Sequence, residues 1–381
     1  MLKLHIALNA HLLSGAPTYR SAGVHRYIYY LLAHLPRAGC QVTVFAGPHS
    51  RLPEDGYAVR RSRWPTAKPP VRIAWEQVVQ PWALRKAGVD LIHAPVFIGP
   101  LLASCPTVVT IHDLSFLRYP HFFRPANRLY LRTFTRASVR RARRIIAVSG
   151  HAAEETARLL GVDRRRIDVI YHGVDPALRP LPPEEIETFR REEELPERFV
   201  LYVGTLEPRK NLIRLVEAFA TLRPATLRPA PFLILAGARG WHFHDLFARV
   251  EQLGLKDRVF FPGYIPGDRL VYWYNAATVF AYPSLYEGFG MPVVEAQACG
   301  TPVLTADRSA LPEAAGDGAL LVDPEDVDAI AEGLRQLLTN EPLRAELQQR
   351  GLVHAARFTW EKTAAETVAT YRQALAEEGR G

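Results

Sequence analysis

Two glutamates, Glu287 and Glu295, stand with seven residues between them in the run Pro283-Ser284-Leu285-Tyr286-Glu287-Gly288-Phe289-Gly290-Met291-Pro292-Val293-Val294-Glu295. The run follows an apolar strand pattern and opens a helix. Pro292 suits the first helical position, where a missing N–H costs nothing. Gly300 and Pro302 end the helix. Gly288, Phe289, Gly290 and Met291 bring backbone N–H groups to the positive end of that helix, a ready place for a diphosphate or for polar sugar hydroxyls. Carboxylates on either side of such a turn can face one cleft and accept hydrogen bonds from hydroxyl pairs on a ribose and a sugar. Alone, the two would read as surface glutamates on a strand–helix turn; the motif around them makes the pattern specific.

A second strand–helix junction carries cations: Val203-Gly204-Thr205-Leu206-Glu207-Pro208-Arg209-Lys210-Asn211. Cations at the start of a helix oppose its dipole, so a solvated pair is the less favoured reading. At the carboxyl end of a strand, Arg209 and Lys210 can neutralise a diphosphate. Charge grows on a departing phosphate, so fixed cations stabilise the transition state more than the ground state.

Two further junctions are weaker. A long loop runs from Asn9-Ala10-His11 to Ser21-Ala22-Gly23-Val24, where Gly23 opens a helix and lets backbone approach a phosphate. Thr110-Ile111-His112-Asp113 ends a strand, where His112 can hydrogen-bond a sugar hydroxyl. A dinucleotide fingerprint and a P-loop are both absent, which argues against a dehydrogenase.

The first of these motifs resembles the Glu-x7-Glu signature of the family 4 retaining glycosyltransferases. Gly263-Tyr264-Ile265 before it and Ala298-Cys299-Gly300-Thr301-Pro302-Val303 after it agree, as do Leu311-Pro312-Glu313 and Gly316-Asp317-Gly318-Ala319. The resemblance covers almost the whole chain and is stronger in the second half. It implies the GT-B architecture: two Rossmann-like α/β domains with parallel sheets facing across a cleft. It implies that Glu287 contacts the donor sugar and Glu295 the ribose hydroxyls. Arg209 and Lys210 would hold the diphosphate beside Gly204, and domain closure would bring Gly23 and His112 to the donor. Tyr264 and Ile265 are expected at the base through their backbone. Many members carry a base directly after the glycine, where this chain has Thr205. The two glutamates are then not the acid/base pair of a hydrolase; the leaving phosphate helps deprotonate the acceptor on the same face.

The elements needed to position these residues are visible as short β-branched runs alternating with helical patterns, which means parallel sheets covered on both faces. Strands are expected at Leu4–Asn9, Gln41–Ala46, Asp90–His93, Thr107–Ile111, Arg144–Val148 and Asp168–Tyr171. In the second half they fall at Phe199–Gly204, Phe232–Gly237, Arg258–Pro262, Val279–Tyr282, Pro302–Thr305 and Ala319–Val322. An acceptor-side domain is expected at 1–178 and a nucleotide-sugar-binding domain at 179–360, with a helix at about 361–379 packing back on the first. Ligands then belong outside the carboxyl ends of the strands.

Length and composition fit: 381 residues exceed one core, and 48% are hydrophobic. Residues 1–175 carry a net charge of +15 and the rest −7, summing to the overall +8. Arg124, Arg128, Arg132, Arg136, Arg140 and Arg144 recur every four residues. They read either as a solvated face or as a basic helix for an anionic membrane surface. No nucleic-acid module accompanies them. Three distant cysteines and the lack of a leader pattern suggest a reducing cytoplasm. No metal and no cofactor are expected beyond the nucleotide-sugar substrate. GDP-mannose is the first expectation for the donor and a UDP-hexose the second, with a glycan or lipid-linked acceptor. The alternatives are an epimerase or phosphorylase of similar fold, or a non-catalytic two-lobed binding protein.

Overall fold

The computed structural model describes residues 4–13, 23–54, 56–222, 227–240 and 243–376. It divides into two compact units, Met1–Gly173 with Thr359–Gly381, and Val174–Phe358.

The first unit holds β1 (Leu4–Asn9), β2 (Cys40–Ala46), β3 (Tyr57–Arg61), β4 (Leu91–Ala94), β5 (Thr107–Ile111), β6 (Arg144–Ala147) and β7 (Ile167–Val169). They form one sheet in the order β3-β2-β1-β4-β5-β6-β7. Every pairing is parallel. The strand β3 was not expected. It is a mostly exposed edge strand ending in Arg60 and Arg61, so it lacks the apolar run that marks its neighbours.

The second unit repeats the plan with β8 (Phe199–Val203), β9 (Phe232–Ala236), β10 (Val259–Gly263), β11 (Val279–Tyr282), β12 (Val303–Ala306) and β13 (Ala319–Val322). The order is β10-β9-β8-β11-β12-β13, again all parallel. Each sheet therefore reverses its winding once, between β1 and β4 and between β8 and β11. Such switch points are where open α/β sheets bind ligands.

Proline starts many of the helices, as at Pro69, Pro125 and Pro183, because its fixed φ is already helical and its lost donor is not missed. The helix Pro183–Glu192 follows the expected domain boundary at 178. It belongs to the second unit, where Phe189 packs on Tyr272 and Trp273.

The first core is finished by the end of the chain. Trp360, Val368, Tyr371 and Ala374 of the helix Trp360–Ala376 pack with Tyr27, Ile28 and Leu31 of the helix Val24–His34. The contact is also polar. The Tyr371 hydroxyl lies 2.7 Å from His93 Nδ1, and His93 Nε2 lies 2.7 Å from Thr110 Oγ1. Tyr27 closes the chain at 3.1 Å from Thr110. Burial holds His93 neutral, its pKa lowered to about 3. Tyr371→Phe leaves a buried ring nitrogen without its partner, which costs about 1–3 kcal/mol. A fall of a few degrees in the melting of the first unit is the expected reading; an unchanged melt would show that the chain contributes nothing.

Candidate active site

The β8–helix and β11–helix junctions meet beside the switch point of the second sheet. After β8 the chain makes a short turn at Pro208–Lys210, then a left-handed Asn211 (φ 61°), then the helix Leu212–Thr221. Asn211 Nδ2 donates to the Pro283 carbonyl at 3.0 Å and to the Pro324 carbonyl at 2.5 Å. The Leu285 N–H donates to the Arg209 carbonyl at 2.9 Å. The two loops are thus fastened together by neutral hydrogen bonds before any charge is counted.

The charges then interlock. Lys210 Nζ donates to Glu287 Oε1 at 2.6 Å and to the Tyr282 hydroxyl at 2.7 Å. The Tyr282 hydroxyl donates to the same Glu287 oxygen at 3.0 Å. Arg209 donates to Glu287 Oε2 at 3.1 Å, to the Tyr286 carbonyl at 2.7 Å and to Glu207 Oε1 at 2.9 Å. Glu207, Lys210 and Glu287 are all buried. Burial alone would raise the Glu287 carboxyl, but Lys210 and Arg209 beside it hold its pKa down at about 2. Burial and the neighbouring Arg209 pull the Lys210 amine below its ordinary value, and burial with the Glu287 charge lifts the Tyr282 phenol far above its own. Two cations thus face two carboxylates.

The structure brings together Arg209, Lys210 and Glu287, which the sequence singles out, and adds Glu207, Tyr282 and Ser309, which it does not. Ser309 brackets the Glu287 backbone, accepting from its N–H at 3.0 Å and donating to its carbonyl at 2.6 Å.

Glu295 lies one turn into the helix Met291–Ala298 and is buried, accepting from the Tyr274 hydroxyl at 3.0 Å. Gly290 precedes that helix with φ 117°. A Cβ there would stand 2.8 Å from Leu311 Cδ2, so only glycine brings the chain in this closely. Gly288 and Met291 lie in the same turn, but the Phe289 side chain is core, 5.5 Å from the Phe358 ring. Gly204 ends β8 and Gly263 ends β10, both with positive φ. Between them Gly237 is packed so tightly that a Cβ would sit 1.8 Å from the Gly204 carbonyl oxygen. Bare backbone therefore lines the carboxyl edge there. Tyr264 is exposed and the Ile265 side chain is buried, so Ile265 can offer only its main chain to a ligand.

In the first unit, His112 is buried at the end of β5 and its Nε2–H donates to the Pro95 carbonyl at 2.8 Å. Burial lowers its pKa. A neutral ring with Nε2 committed has only Nδ1 left, an acceptor suited to a sugar hydroxyl. Gly23 precedes the helix Val24–His34 with φ 59°. The loop before it, residues 14–22 with Ser21 and Ala22, lies outside the described residues, as do the last residues expected for the C-terminal helix.

The model of Glycosyltransferase Family 4 matches residues 21–178 and that of Glycosyl transferases group 1 matches residues 184–353. The O-antigen chain mannosyltransferase B of Escherichia coli is 36% identical over 295 residues, 77% of each protein. The chain belongs to the family 4 glycosyltransferases. This glycosyltransferase is also 32% identical over 357 residues to a D-inositol 3-phosphate glycosyltransferase of Acidothermus cellulolyticus, covering 88% of this chain and 76% of that one. Among solved structures it resembles the sucrose-phosphate synthase of Thermosynechococcus elongatus, with a TM-score of 0.77 at 25% identity over 98% of this chain and 100% of that one. The glycosyltransferase thus takes a nucleotide-sugar donor and a glycan acceptor.

Proposed function

We propose that the enzyme moves a mannosyl group from GDP-mannose to a glycan or lipid-linked acceptor of a surface polysaccharide, with retention at the anomeric carbon and without a metal or cofactor. The observation that carries this is the Arg209–Lys210–Glu287 cluster at the β8/β11 switch, in a chain similar to an O-antigen mannosyltransferase. The donor diphosphate lies against Arg209 and Lys210. Glu287 faces the mannosyl hydroxyls, and Glu295 the ribose. The bond from the anomeric carbon to the diphosphate oxygen breaks. The acceptor oxygen bonds to the same face of that carbon, and its proton passes to the departing phosphate. The two cations hold the charge that develops. Among the described residues no three His, Cys, Asp or Glu gather as metal ligands.

The deciding assay is nucleotide release from GDP- and UDP-sugars with and without EDTA, in the presence of membrane lipid extract. Release from GDP-mannose that EDTA leaves unchanged is expected. Preference for a UDP-sugar overturns the donor, and loss in EDTA overturns the metal independence.

No helix among the described residues is long and apolar enough to cross a membrane. The helix Pro125–Arg141 supports surface attachment. Its Arg124, Arg128, Arg132 and Arg140 are exposed and form no ion pair among the described residues, and Leu129 beside them is 67% exposed. Each basic residue near anionic lipid is worth about 1 kcal/mol. The protein is expected to co-sediment with phosphatidylglycerol vesicles at low salt, and Arg128→Glu with Arg132→Glu to release it. Equal recovery of wild type and variant would leave these arginines as a solvated face.

A further inference from the structure

The switch point of the first sheet carries a cavity of about 60 Å³ that no motif above explains. It lies where β1 and β4 part, lined by Asn9 at the end of β1 and by Pro95, Val96, Phe97 and Ile98 after β4. Its remaining walls include Arg72, Glu76 and Tyr130. Such a space admits roughly four to six waters, which is the hydroxyl-bearing edge of a sugar ring and not a nucleotide.

Two departures from regular structure meet here. The helical run Pro69–Ala87 contains one wide turn of π-helix at Trp75–Val79. Such turns shift the register of the residues they carry and recur at functional sites. This turn carries Glu76, which is only 6% exposed. Phe97 holds a left-handed backbone (φ 51°), costly for a bulky residue. Its ring stands edge-on to His112, with centroids 6.0 Å apart. Glu76 itself is weakly held. Asn9 Nδ2 donates to it at 3.1 Å, and the Arg72 guanidinium stays at 3.8 Å. Burial therefore prevails over Arg72 and Asn9 and lifts its pKa to about 7. A fold gains little from a buried carboxyl so poorly paired. Nearby, the His11 ring lies tilted against Trp75 with centroids 4.2 Å apart, and its buried Nε2 has no hydrogen-bond partner among the described residues.

We propose that this cavity takes the terminal sugar of the acceptor, with Glu76 and Asn9 reading neighbouring hydroxyls and Phe97 and Ile98 forming the apolar wall. The inference rests on the glycosyltransferase reading of the second unit and adds the residues that select the acceptor. A hydroxyl donating to Glu76 gives the carboxylate the partner it lacks. Carboxylate, amide and guanidinium together suit a neutral polyol better than a second phosphate, which Glu76 would repel.

The test is binding of octyl α-mannoside, octyl β-glucoside, octyl β-galactoside and octyl N-acetylglucosaminide to the full chain by saturation-transfer NMR. Thermal shifts with GDP and UDP are measured in parallel. The wild type is expected to bind at least one glycoside. Glu76→Gln should weaken that binding about tenfold or more, and Glu76→Leu should abolish it, while the nucleotide shift stays unchanged. Removing one partner of a buried pair can destabilise, so the melt of each variant is measured, and lost binding with an intact melt supports the site. Equal glycoside binding in both variants, or none by the wild type, overturns the proposal. Glycoside binding that depends on Glu76 in a protein that no nucleotide stabilises supports this cavity while removing the donor reading.

Discussion

Lys210→Ala is expected to lower turnover by a factor on the order of 100 to 1,000, the usual effect of removing one fixed donor from a developing anion. The geometry says why the loss should be large. Lys210 is held by Tyr282 and Glu287 in one place before substrate arrives, so it need not reorganise as charge builds. Its removal also leaves Glu287 buried with Arg209 as its remaining cation. Affinity for GDP should fall together with turnover. Steady-state rates and GDP titration check both, and near-normal turnover would end the assignment of Lys210 to the diphosphate.

Glu287→Gln should separate what Lys210→Ala joins. It removes the charge that Arg209 and Lys210 now share while keeping the side-chain shape. Transfer should fall about 100-fold, because the sugar loses a charged acceptor. GDP should bind as tightly as before or more tightly, because two cations are released for the diphosphate. Stability should drop by about 3–5 kcal/mol, the cost of breaking a buried ion pair from one side. The pH dependence has a definite sign. The folded pKa of about 2 lies below the ordinary 4.5, so the ion cluster stabilises fully above 4.5 and loses its effect as pH falls towards 2. The wild-type advantage over Glu287→Gln should therefore shrink in acid. A GDP affinity that falls with turnover would show that Glu287 supports the loop instead of facing the sugar.

Strand positions were readable because the interior strands of a parallel sheet are apolar on both faces. Ile6, Ala7 and Leu8 of β1 are all fully buried. The edge strand β3 escaped notice for the opposite reason. The helical run Pro69–Ala87 was hidden by Pro81, which sits at the restart after the π turn. At the site, a motif names residues but not which of their atoms are used. Phe289 and Ile265 stand within recognisable text, yet their side chains are core. Glu207, beside two bases in sequence, looks like surface charge. Only the fold shows it holding Arg209. Tyr282 reads as an ordinary strand residue until Lys210 and Glu287 are brought to its hydroxyl. Glu76 had no motif at all, since its position depends on one irregular helical turn.

The split first unit sets an order of events during synthesis. Val174–Phe358 is an unbroken stretch, so everything its core needs has been synthesised before residue 359 is added. The first unit, although made earlier, lacks Trp360, Val368, Tyr371 and Ala374 until then, and Tyr27, Ile28 and Leu31 wait without their cover. Domains usually fold in the order in which they emerge. Here the later-made unit is the first to be complete in sequence, and the nascent chain carries an unfinished apolar face through the whole translation of its partner.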